Sequence, residues 1–286
     1  MSSNSPDYAT LFGFHSVAAA AIFAVLFIIV GAWYMRQSLR NTTAVYITLT
    51  LFCAMRISAY IIRAILCNSV SQGSNLNLFI ADQVLFGIGF FALLYSAFNL
   101  VLDRNVLAGG AGPTFQSLNI LRNPHLFRLL LTVGVALSIV GTVDITSSIP
   151  NTVSTGQSLH KAGTIIFLVL TIVQSAQILY FYFFFFGDTN GSFPKRHSSP
   201  PFGSHHALPL ILTINAMMLT REIFLAATIN SPTAQGNEHL WYPLVALPEF
   251  AAVMCFGVEG LVPTRREGRE GREMGQQGGE GWALGP

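Results

Sequence analysis

The stretch ILTINAMMLTREIFLAATI, residues 211–229, decides the class of this chain. A helix of about 20 apolar residues crosses a bilayer, and this run has that length, yet Arg221 and Glu222 stand side by side within it. A charge at bilayer depth costs about 2.5–3.5 kcal/mol on insertion scales, so such groups turn toward partners or a water-filled interior. A lone helix offers neither. The reading therefore requires other spans around this one, and the rest of the chain supplies them.

Of 286 residues, 52% are hydrophobic and only 10% are charged. Soluble domains carry about 25% charged residues, so the composition points to lipid as the solvent. Six further apolar runs are present: Val17–Met35, Ala44–Cys67, Leu78–Leu102, Leu126–Thr146, Ala162–Phe186 and Leu240–Leu261, with the sixth span widened to Ala207–Ile229. They are too long for barrel strands and lack a strand's alternation. The expected fold is all-α, a polytopic membrane bundle of seven transmembrane helices. Residues 1–16 form a short extracellular N-terminus, 17–262 the transmembrane domain, and 263–286 a disordered cytoplasmic tail. Met1–Phe14 contains no Lys or Arg, so the start does not read as a cleavable signal.

The loops predict an orientation. Arg36, Arg40, Arg104, Arg122, Arg128, Lys195, Arg196, Arg265, Arg266, Arg269 and Arg272 all fall on one side, and Lys161 alone on the other. The positive-inside rule then places the N-terminus outside and the C-terminus in the cytoplasm. The Asn41 and Asn190 glycosylation sequons lie on the cytoplasmic side and are expected to stay unused. Trp33 and Tyr34 close the first span, where amphipathic rings settle at the interface. Cys53, Cys67 and Cys255 make no disulfide framework.

At a rise of about 1.5 Å per residue, the charges inside the spans gather in the outer half of the bundle. Arg56 and Glu249 fall near the middle, Arg221 and Glu222 above them, and Arg63, Asp82 and Asp144 near the outer edge. Arg56, Tyr60 and Arg63 share one helical face, as do Asp82, Gly89 and Ser96, and as do Asn215 and Glu222. Arg221 and Glu222 point about 100° apart on their helix and are expected to address different neighbours. Pro248 precedes Glu249, removing a backbone hydrogen bond and leaving a carbonyl free beside the carboxylate. Arg56 is the expected partner of Glu249. An aqueous cavity opening outward accounts for the set, with Arg63, Asp144 and Lys161 also able to snorkel to the headgroups. The alternative is a set of interhelical ion pairs that serve folding alone.

The residues TREIFLAATIN, 220–230, and EHLWYPLVALPEFAAVMCFGVEGLVP, 238–263, resemble a fungal seven-span family, the lipid-translocating exporters of the RTA type. They resemble still more a set of fungal membrane proteins labelled receptor-like. The exporters' Arg-aromatic-Arg-acid pattern in span six is met in part by Arg221, Glu222 and Phe224, without the second arginine. Their seventh-span acid corresponds to Glu249, and their second-span Tyr-Arg element to Tyr60 and Arg63. The resemblance implies a fungal membrane protein linked to lipid movement, drug or stress response, or sensing. The expected function is translocation of or resistance to a lipid or amphiphilic compound, or receptor-like signalling through the basic cytoplasmic loops, and the expected location is the plasma membrane.

Membrane lipids and a small amphiphilic ligand are the expected partners, with a cytoplasmic effector if the role is receptor-like. No nucleic acid and no cofactor are expected. Asp103–Arg104 resembles the Asp/Glu-Arg-Tyr switch of rhodopsin-like receptors, with Asn105 in the third position. Enzymatic chemistry is not expected, because no His lies inside a span to bind zinc; His197, His205 and His206 fall in a loop. A retinal protein needs a mid-span lysine, which is absent.

Overall fold

A computed structural model of the protein describes residues 10, 13–107, 124–146, 149–187, 203 and 206–264. Among the described residues, seven helices are long and apolar enough to cross a membrane. They are α1 (Val17–Arg40), α2 (Ala44–Asn68), α3 (Leu76–Leu107), α4 (Pro124–Ile145), α5 (Pro150–Gly187), α6 (Ala207–Ala227) and α7 (Glu238–Phe256). No strand occurs among the described residues. The chain is an all-helical integral membrane protein. Residues 108–123, 188–202, 204–205 and the tail from 265 lie outside the described residues, with Arg122, Lys195, Arg196, His197, His205, the Asn190 sequon and the basic residues of the tail.

The apolar side chains divide between two surfaces. Ile22, Val25, Ile29, Leu51, Leu129 and Phe183 point outward, as a lipid-facing belt requires. Phe27, Phe52, Leu93, Ile214 and Phe256 fill the interior. Hydrocarbon does not drive helices together as water does, so close backbone approach must hold the bundle. On α4 and α5 glycines permit it. A methyl at Gly141 would lie 2.5 Å from the His160 backbone nitrogen, and one at Gly163 would lie 2.3 Å from Ser138 Oγ.

Helix ends are closed by side chains from elsewhere in the sequence. Ser16 caps α1 by accepting from the Ala19 N–H at 3.1 Å. The Glu238 carboxylate, at the start of α7, accepts from the His15 and Ser16 N–H groups at 2.8 and 3.0 Å. Orphan donors at the start of one helix are thus satisfied by the first turn of another. This fixes α1 and α7 side by side at one face of the bundle, here called the N-face. At the opposite C-face, Arg104 of α3 donates to the carbonyls of Gly260 and Leu261, beyond the end of α7.

Two boundaries depart from the hydropathy reading. The fifth helix begins at Pro150 rather than Ala162, twelve residues earlier. Its first turns, PNTVSTGQSLHK, are too polar for a hydropathy boundary, but proline suits a helix start. Lys161 is therefore a helix residue and not a loop residue. In α7, residues Tyr242–Ala246 form a π-helical segment, with the Leu247 N–H bonded to the Tyr242 carbonyl five residues back. Pro248 has no N–H to give and its ring crowds the carbonyl of the preceding turn. A widened turn at that point accommodates it.

Candidate functional site: a buried ion cluster beneath a cavity

Among the described residues, six charged side chains that lie almost wholly out of reach of solvent form two clusters. In the deeper one, Glu249 of α7 takes Arg56 of α2 at 2.5 Å and Arg221 of α6 at 2.6 Å, both on Oε1. Arg221 also pairs directly with Glu222. Arg56 donates from its other terminal nitrogen to the carbonyl of Phe86 at 3.1 Å. Its guanidinium lies over the Phe86 and Phe52 rings at 4.6 and 5.0 Å, and that of Arg221 lies 4.0 Å over Phe90. Gly89 leaves room for this. A methyl there would meet Arg56 Nη1 at 2.9 Å and Cζ at 3.1 Å.

The second cluster sits toward the N-face. Arg63 of α2 pairs with Asp82 of α3 at 2.8 Å, and Gln83 donates to the same carboxylate oxygen at 3.1 Å. Three aromatic rings enclose the guanidinium, those of Trp241 at 3.9 Å, Phe86 at 4.2 Å and Phe14 at 4.3 Å. Three arginines and three acids thus balance inside the bundle. Isolated buried charges would be far costlier than pairs satisfied by several contacts each.

A cavity of about 250 Å³ lies above the deeper cluster, walled by α3, α4, α5, α6 and the start of α7. Arg221 and Glu222 reach its lining, with Phe86, Phe90 and Phe167 as aromatic walls and Asn230 and Gln235 at the N-face mouth. Arg56 and Glu249 do not line it; they lie behind. At about 30 Å³ per water, the space holds roughly eight waters. That is below the usual range of drug-sized pockets, about 300–1,000 Å³.

The expected site residues separate into three groups. Arg63, Arg221 and Glu222 line the cavity, and Arg56, Asp82 and Glu249 support them from behind. Tyr60 is wholly buried in an aromatic cluster with Phe23, Phe27, Phe86 and Trp241, and its ring does not reach the cavity. Asp144 is half-buried at the end of α4 and joins neither cluster. The expected Arg56–Glu249 pair is present. The expectation that Arg221 and Glu222 face apart is corrected. Long side chains on adjacent residues bend toward each other where the interior offers few partners, and Arg221 then reaches Glu249 as well.

Two aromatic placements also differ from an interfacial belt. Tyr34 is buried and donates to the Val253 carbonyl at 2.5 Å, while Trp33 is partly exposed. Trp241 is turned inward onto Arg63, where the ring face offers a cation more than headgroups do.

Lys161, first assigned to a loop, lines the cavity. The signal for it was available in α5. His160, Thr164, Thr171 and Gln174 recur at steps of four, seven and three, one polar face of a helix, and Lys161 adjoins it. Among the described residues no three His, Cys, Asp or Glu side chains come together as a metal ion would require.

Over residues 13–264 the chain matches a family described as a domain of unknown function, DUF7702, and it belongs to that family. No curated protein and no solved structure matches it.

Proposed function

We propose that this protein is a non-enzymatic plasma-membrane translocator that admits the headgroup of a lipid or other amphiphile from outside, with its N-face extracellular. One observation carries the reading: a cavity at the N-face with aromatic walls ends on a buried, charge-balanced floor of Arg221 and Glu222. Its volume suits a headgroup or a small amphiphile and not a whole two-chain lipid. The chain of such a substrate would stay among apolar side chains or in the bilayer. Beneath the floor, Gln174 and Asn215 lie seven residues from Phe167 and Glu222 along their helices, and so continue the same faces. Both are wholly buried, and Gln174 Oε1 and Nε2 and Asn215 Oδ1 meet no hydrogen-bond partner. Buried amides of this kind are ordinarily satisfied by water or a ligand, and they extend a polar path inward. The resemblance to RTA-type exporters points the same way.

The test is reconstitution in liposomes with a fluorescent short-chain lipid. The wild type should accelerate exchange between leaflets, and Glu222→Gln should slow it by about tenfold at normal abundance. Unchanged exchange in that variant would reduce the ion cluster to a folding device.

A receptor-like role is favoured by a different observation, the bonds from Arg104 to the carbonyls of Gly260 and Leu261 at the C-face. A ligand that shifted α7 would break this latch and expose the basic loops to a cytoplasmic effector. Ligand-dependent movement between labels at the ends of α3 and α7, without lipid exchange, would select this reading.

A further inference from the structure

We propose that the compound entering this cavity carries an anionic oxygen headgroup, a phosphate or a carboxylate, and that Lys161 is the residue that selects it. The inference rests on the amphiphile-binding reading and adds the charge of the ligand.

The argument begins with which charges the cavity meets. Its lining includes Arg63, Lys161 and Arg221 among cations but only Glu222 among acids. Asp82 and Glu249, which neutralise Arg63 and Arg221, sit behind them. Side-chain exposure follows the same order: 3% for Arg63 against 0% for Asp82, and 6% for Arg221 against 1% for Glu222 and 0% for Glu249. Each arginine reaches the lining, whereas one acid of each, Asp82 or Glu249, does not. A space walled by protein focuses the field of the charges nearest to it.

Lys161 then breaks the balance. The three buried arginines and three buried acids cancel, whereas Lys161 is half-buried on the lining and makes no ion pair with any described residue. The nearest acid on the facing helix, Asp144, packs against Gly156, five residues before Lys161 on α5. The other polar groups around Lys161 on the lining, Ser138, Thr142, Gln157, His160 and Thr164, include no acid. An ammonium on a flexible stem acts as a point charge for phosphate or carboxylate. Below it, Phe90 and Phe167 offer the apolar wall that a short alkyl segment needs.

The site has room for one such headgroup and a few methylenes. A second cation at its floor, Arg221, is already engaged by two acids. An anion therefore gains most at Lys161, and a neutral amphiphile gains nothing there. A cationic amphiphile would meet a like charge at the wall.

The experiment uses the full chain in nanodiscs of uncharged-net phosphatidylcholine, with octyl phosphate, octanol and inorganic phosphate as probes, and binding read by calorimetry. Wild type should bind octyl phosphate about tenfold more tightly than octanol, the size of one charge-assisted contact, and inorganic phosphate more weakly than octyl phosphate. Lys161→Gln should remove the advantage over octanol, and Lys161→Arg should keep most of it. Equal binding of octyl phosphate and octanol by the wild type overturns the anion inference and leaves the amphiphile reading standing. An advantage that survives in Lys161→Gln overturns the role of Lys161 as the selecting residue. Failure of both alkyl probes to bind overturns the amphiphile reading itself.

Discussion

The Arg63–Asp82 pair and the four-charge cluster around Glu249 are built from the same residue types, yet they hold the molecule together differently. Arg63 and Asp82 come from consecutive helices and are 19 residues apart. The pair lies near the N-face, where Arg63 borders the cavity. The deeper cluster joins α2, α6 and α7, and Arg56 and Glu249 are 193 residues apart. Arg56 and Arg63 are seven residues apart on one helix, about 10 Å along its axis. Arg63 lies on the cavity wall, and Arg56 lies in the interior that the cavity does not reach. Depth and long-range connection, rather than residue type, should therefore set what each pair contributes.

Glu249→Gln should have the largest effect. It strips the shared acid from two arginines and should cost about 3–5 kcal/mol, as breaking a buried pair does, read from reversible unfolding in mixed micelles. Adding Arg56→Gln should recover part of that loss, because the uncompensated charge goes with it. Additive effects in the double-mutant cycle would mean that the two residues do not act together.

Asp82→Asn should cost less, about 1–2 kcal/mol, because water in the cavity can reach Arg63 and the aromatic rings around it remain. A loss equal to that of Glu249→Gln would break the comparison between the two clusters.

Gly89→Ala tests the space around Arg56 and should have the smallest effect. The added methyl presses on the guanidinium, which is the far end of a long side chain but is held by Glu249. A cost of about 1 kcal/mol is expected, at the low end for overpacking. That cost should shrink in the Arg56→Gln background. An undiminished cost there would locate the crowding elsewhere.

Much of this was legible in the residues. Arg56 and Glu249 could be paired from depth alone, because a deep acid and a deep base leave each other as the least costly partners. Hydropathy missed Lys161, since polar residues at the start of α5 hide the helix from it, although the helical spacing of His160, Thr164, Thr171 and Gln174 carried the signal. Nothing in the order of residues joins Trp241 to Arg63; only the approach of α2 brings the guanidinium against its ring. The Arg221–Glu222 contact escaped a reading based on ideal helical angles, because side-chain flexibility outruns the 100° step.

The sequence by itself determined the seven spans and the position of the buried charges along them. Hydropathy is a local sum, and the helical rise converts residue number directly into distance. The tertiary structure decided which face of each helix turns inward and which acid each arginine meets. It also placed the cavity above Arg221 and Glu222 and not against Glu249. Rotation about a helix axis changes neither hydropathy nor depth. It is set by how each helix packs against its neighbours, and in this bundle by the glycines that allow α4 and α5 to approach and the π-helical turn that re-aims α7.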